Sequence, residues 1–103
     1  MTLTTSDKHF WHDAYVTALR AGCSAPREIA DNGLAGLLTY RMGPKYCARD
    51  VEWCEAYLAA VAGKIPANYC ALLADGAVYV RVGLASRMWT SVESYKHRLS
   101  EGA

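Results

Sequence analysis

The chain has 103 residues, 52% of them hydrophobic and 20% charged, which is the size and composition of one folded domain and excludes a disordered segment. Eleven Lys plus Arg against ten Asp plus Glu leave a formal net charge of +1, so no global field draws the chain to nucleic acid or to an anionic membrane. The opening Met1-Thr2-Leu3-Thr4-Thr5-Ser6 lacks a basic stretch followed by an apolar one, and no apolar run approaches the roughly 18 to 20 residues of a bilayer span. These features predict a single cytoplasmic domain, residues 1–103, without membrane contact. In that compartment Cys23, Cys47, Cys54 and Cys70 are expected to stay reduced and mostly buried.

The first predicted helix starts near Asp7, with Thr5, Ser6 and Asp7 all capable N-caps. Trp11, Tyr15, Ala18 and Leu19 fall on one side, with Phe10 and Ala14 beside them, and Gly22 after Arg20 supplies a left-handed C-cap. The broad aromatic stripe marks this as the central core helix. Ser24 caps a second helix, Pro26 occupies its first turn, and Ile29, Gly33, Leu37 and Tyr40 recur at helical spacing. Gly33 and Gly36 each cost about 1 kcal/mol against alanine in a helix interior, so they predict close approach of another helix, with the first helix as the expected neighbour. Gly43-Pro44 ends the element, and Lys45 to Arg49 form a short connection.

The run Trp11-x3-Tyr15-x2-Ala18-Leu19-Arg20-Ala21-Gly22-x-Ser24-x3-Glu28-x2-Asp31-x2-Leu34 resembles the helical pair of many short, uncharacterised prophage-encoded proteins. The similarity spans about a third of the chain. It implies a phage or mobile-element context and brings no catalytic residues with it.

Asp50 is a good N-cap for a third helix, Val51 to Ala62, with Val51, Cys54, Leu58 and Val61 as its inner stripe and Trp53 and Tyr57 flanking it. Gly63-Lys64-Ile65-Pro66 has the grammar of a Schellman stop. Asp75-Gly76 then separates two apolar runs, Asn68 to Ala74 and Ala77 to Val82, the strongest short-range signal for a type I′ β-hairpin. Pairing across it sets Leu73 opposite Val78, Ala71 opposite Val80 and Tyr69 opposite Val82 on an inward face, and Leu72 with Tyr79 and Cys70 with Arg81 on the other. The alternative is a short helix from Ala67 to Ala74 with Gly76 as its C-cap. Leu84 to Trp89 is loop or first helical turn, and Thr90-Ser91-Val92-Glu93 spells a capping box for a final helix with Val92, Tyr95 and Leu99 inward. Lys96, His97 and Arg98 lie toward its C-terminal end. The expected fold is therefore α+β: three helices, one β-hairpin and a C-terminal helix in a single small domain.

Chemistry-bearing residues are few. His9 and His12 lie three apart with Asp13 four from His9, a geometry able to contribute to a metal site only if another element adds a ligand. No Cys-x2-Cys or His-Glu-x2-His is present, and Cys47 and Cys54 are seven positions apart, so neither a metal nor a cofactor is expected. Pairing of any cysteine in space with His9, His12 or His97 is open to the fold, but no nucleophile elbow, phosphate loop or dinucleotide fingerprint accompanies them. Arg41, Lys45 and Arg49 cluster around the second connection. Tyr79, Arg81, Arg87 and Trp89 form a basic-aromatic set at the hairpin end, suited to an acidic protein partner or to stacking on single-stranded nucleic acid. Ordinary solvated arginines around core aromatics account for the same pattern.

The preferred reading is a non-enzymatic protein-binding module, in its most concrete form a phage-encoded, anti-CRISPR-like inhibitor that occludes a host nucleoprotein complex through Tyr79, Arg81, Arg87 and Trp89. The alternative is a small nucleic-acid-binding regulator, and the third a small metal-free nuclease or toxin using His12. Exposed hairpin edges also favour a homodimer.

Overall fold

A computed structural model describes residues 3–44 and 46–81 of the chain. Among these residues the fold is all-helical, with α1 at Thr5–Arg20, α2 at Pro26–Met42, α3 at Asp50–Ala62 and α4 at Ala67–Arg81, and no strand. α1 packs along α2, and α3 along α4. The two antiparallel pairs meet where α2 touches α3 and α4 and where α1 touches α3.

This overturns the α+β expectation, because the segment read as a hairpin is α4. Its buried side chains are Cys70, Leu73, Ala74 and Val78, a helical stripe rather than an alternating one, while Leu72 is exposed. Asp75 does not turn the chain. Its carboxylate accepts a hydrogen bond from the Trp53 indole at 2.7 Å, and Gly76 is buried inside the helix. The glycine costs about 1 kcal/mol there. Burying Leu73 and Val78 returns roughly 1.5 to 3 kcal/mol each, whereas a lone two-stranded hairpin is marginal in water. The alternative reading had the right element type and stopped it about two turns too early. The C-terminal helix expected from Thr90, with Lys96, His97 and Arg98, lies outside the described residues.

Helix ends follow the expected chemistry with shifted positions. Thr4, not Thr5, Ser6 or Asp7, is the N-cap of α1: its hydroxyl accepts from the Asp7 amide at 3.1 Å and the Asp7 carboxylate accepts from the Thr4 amide at 3.2 Å, a reciprocal capping box. At the other end Gly22 at φ +80° and Cys23 donate to Leu19 and Ala18 in a Schellman stop, as expected. α2 begins on Ala25 without a side-chain cap, so Ser24 is not used. α3 begins on Arg49, which frees Asp50 for tertiary bonds. The stop after α3 is also a Schellman motif, but the left-handed residue is Lys64 (φ 62°), one position later than Gly63, with Ile65 donating to Ala60.

The core is organised by aromatic rings laid on the α2 glycines. Trp53 and Tyr57, both fully buried, stack with centroids 5.6 Å apart, Tyr40 stacks on the far side of Trp53, and Phe10 meets Trp53 and Tyr57 edge-on. A methyl group on Gly33 would lie 2.6 Å from the Tyr57 ring, and one on Gly36 would lie 3.0 Å from Trp53 and 3.1 Å from the Ala71 side chain. The glycines thus admit α3 and α4 rather than α1, whose share is Phe10 at 3.2 Å from Gly33. Tyr57 completes the arrangement by donating its hydroxyl to the Ile29 carbonyl at 2.6 Å.

Candidate functional site: a groove between α1 and α3

Two helices anchored to a common third leave a furrow between them where neither fills the space above it. Here α1 contributes Ser6, His9, Phe10 and Asp13, positions that share one helical face, and α3 contributes Asp50, Val51, Cys54, Glu55 and Leu58. Leu37 and Arg41 of α2 form the floor, and the furrow has a volume of about 490 Å³. Its base is apolar, from Phe10, Leu37, Cys54 and Leu58. Val51 stands in the opening with 70% of its surface exposed.

One end of the groove is closed by an ion-pair junction. The Arg41 guanidinium forms a two-pronged pair with Asp7, at 3.0 and 3.2 Å, and reaches Asp50 at 2.8 and 2.9 Å. The Tyr46 hydroxyl donates to the other Asp50 oxygen at 2.7 Å. Three helix ends are tied by one side chain. Asp7 is only 2% exposed, and the hydrogen bonds from Arg41 lower its pKa despite burial, while the same contacts raise that of Arg41. Asp7 and Asp50 also lie in the first turns of α1 and α3, where the helix dipole favours a carboxylate.

Among the described residues, the titratable groups with resolved shifts are set up for structure more than for chemistry. Burial pushes the thiols of Cys54 and Cys70 up to about 12, so both are protonated, poor nucleophiles. Burial, then the neighbouring Cys47 thiol, raises the Tyr40 hydroxyl to about 12. Cys47 lies 3.3 Å from that hydroxyl, which also accepts from the Arg49 amide. No three His, Cys, Asp or Glu side chains among the described residues are gathered to hold a metal ion. His9 and Asp13 line the groove, while His12 faces solvent outside it.

Of the residues named from sequence as a partner surface, only Tyr79 and Arg81 fall within the described part of the chain. Tyr79 is half-buried with its ring 6.0 Å from Tyr40, on the core side of α4 and not on an outer sheet face. Arg81 is the last residue of α4, and Arg87 and Trp89 lie outside the described residues. The second-connection cluster is not a free basic patch either: Arg41 is committed to Asp7 and Asp50, Arg49 pairs with Glu52 at 2.6 Å, and Lys45 lies outside the described residues. Sequence reading missed the junction because its members are 34 and 9 positions apart. The available signal was a carboxylate in the first turn of each of two helices and an arginine in the last turn of a third.

The described fold and site define a small helical protein with an apolar groove closed by an arginine–carboxylate junction. No protein-family model matches the chain, and no curated protein or solved structure is significantly similar to it. No described helix is long and apolar enough to cross a membrane.

Proposed function

We propose that the chain is a non-enzymatic protein-binding module whose working surface is the α1–α3 groove. The observation that carries this reading is the exposed Val51 above an apolar base of Phe10, Leu37, Cys54 and Leu58, a shape and chemistry that suit a helix laid into a groove. The resemblance of residues 11–34 to prophage proteins supports its most concrete form, a phage-encoded inhibitor acting in the host cytoplasm. Such an inhibitor binds a nucleoprotein defence complex and blocks it by occupying its surface, as anti-CRISPR proteins do. The nucleic-acid alternative rests on Arg81, Arg87 and Trp89, of which Arg87 and Trp89 lie outside the described residues; it gains nothing from the second connection, where Arg41 and Arg49 are paired with carboxylates.

The test is plaquing of a phage on cells whose CRISPR system targets it, with and without expression of the chain. Restored plaquing that is lost with Val51→Asn supports the reading. Absence of rescue by folded, abundant protein refutes the inhibitor. Binding to random DNA or RNA that falls steeply with salt, untouched by Val51→Asn, transfers the function to the nucleic-acid reading.

A further inference from the structure

Resting on the groove being a protein-binding surface, we propose that its occupant is a basic amphipathic helix of the partner, two to three turns long, with aliphatic anchors flanked by Lys or Arg on both sides. The length follows from the walls. Ser6 to Asp13 on α1 and Asp50 to Leu58 on α3 each extend about 10 to 12 Å at 1.5 Å per residue, matching about two turns of a docked helix and therefore anchors at i, i+3 or i+4, and i+7.

The charge requirement follows from what lines those walls. The groove carries four carboxylates, Asp7, Asp13, Asp50 and Glu55, against the single guanidinium of Arg41 and the imidazole of His9. Arg41 is shared between Asp7 and Asp50, so the junction retains one net negative charge. Asp13 and Glu55 are exposed, make no ion pair with a described residue, and stand on opposite walls. A docked helix therefore meets a carboxylate on either side of its apolar stripe. Cys54 remains a neutral part of the base. Lysines or arginines flanking the stripe complete both carboxylates, while an acidic helix of the same shape is repelled.

The probe is a fluorescein-labelled synthetic peptide of about 14 residues, with leucines at the anchor spacing and lysines on the flanks. Its companions are a scrambled peptide of identical composition and a version with glutamate in place of lysine. Fluorescence anisotropy is measured with the full chain, each variant first checked for an unchanged melting temperature. The proposal requires that the patterned lysine peptide bind at least about tenfold tighter than either companion. It also requires that Asp13→Lys with Glu55→Lys weaken it at least about tenfold, that Val51→Asn weaken it, and that Glu28→Lys, outside the groove, leave it unchanged. Equal binding of the scrambled peptide, or indifference to the double charge reversal, overturns it. A dimer of the free chain that Val51→Asn dissociates also overturns it, because a second copy then fills the groove. In the plaquing assay, rescue lost with Val51→Asn but retained with the double reversal leaves the module reading standing and rejects the basic helix. Absence of rescue by the parent chain rejects the inhibitor reading whatever the peptide does.

Discussion

Replacing Gly33 with alanine tests the packing that holds the helices together. On an exposed helix the change stabilises by about 1 kcal/mol through propensity alone. Here the new methyl would stand 2.6 Å from Tyr57 Cε1 and 2.9 Å from Cζ, about 1 Å inside ordinary carbon contact. Tyr57 has nowhere to go: it is fully buried, stacked on Trp53, and anchored by its 2.6 Å hydrogen bond to Ile29. Overpacking of this kind costs about 1 to 3 kcal/mol, and pulling the hydroxyl off its carbonyl adds about 1 to 2. After the propensity gain, a net loss of about 1 to 4 kcal/mol remains, equivalent to a fall in Tm of about 4 to 30 °C. Urea unfolding followed by tryptophan fluorescence reads it as a lower midpoint at unchanged slope. A variant as stable as the parent, or more stable, would refute the close approach of α3 to α2.

The milder contacts at Gly36 predict a smaller loss for Gly36→Ala, of no more than about 1 kcal/mol, checked in the same titration. Arg41→Met strands the buried Asp7 carboxylate and is expected to cost about 3 kcal/mol, against less for the double change with Asp7→Asn, which a double-mutant cycle measures. Because its Arg41 contacts hold the Asp7 pKa below the ordinary 3.8, the stability it confers is present above 3.8 and lost as pH falls through the lowered value; the gap between parent and Asp7→Asn should close on acidification. Asp75 has the opposite sign, since burial raises its pKa. Its contribution is full below 3.8 and is lost as pH rises through the raised value, so Asp75→Asn, which keeps an acceptor for Trp53, should be more stable than the parent at pH 7 and equal to it in acid. An Asp75→Asn protein less stable at pH 7 would reject burial as the dominant influence.

The first three helices were legible because their signals are local. Aromatic and aliphatic spacing in 10–19, Pro26 in a first turn and the glycine stops depend on residues a few positions apart, and the helix bounds follow them to within a residue or two, although α1 buries Phe10, Ala14 and Ala18 and leaves Leu19, expected inward with Trp11 and Tyr15, exposed. Asp75-Gly76 misled for the same reason: a turn dipeptide is a local preference, and Trp53, 22 positions away, takes the aspartate instead. Glycines 33 and 36 announced a close neighbour, but the first helix was the wrong one to expect, since a missing side chain carries no information about what occupies its place and α3 and α4 fill it. The groove was invisible for a further reason. Val51, Cys54 and Leu58 were read as an inner stripe of α3, yet Trp53, Tyr57, Ala60 and Val61 are its buried residues. The larger aromatic rings won the core, rotating the aliphatic stripe toward the α1 side.

That rotation connects the core to the proposed working surface. Trp53 and Tyr57 seat α3 on the glycines of α2, and Phe10 wedges α1 against the same two rings. Once those faces are fixed, Val51, Cys54 and Leu58 turn toward α1, and no larger side chain from Ser6, His9 or Asp13 covers them completely. Arg41 then ties the N-terminal ends of α1 and α3 to the C-terminal end of α2, so the walls cannot close over the apolar base without breaking an ion pair to the buried Asp7. A groove held open in this way would meet the proposed helix preorganised, with little ordering cost at the moment of binding. The same side chain that stabilises the fold therefore keeps the groove open, and the exposed Val51 is a consequence of how the aromatic core is packed.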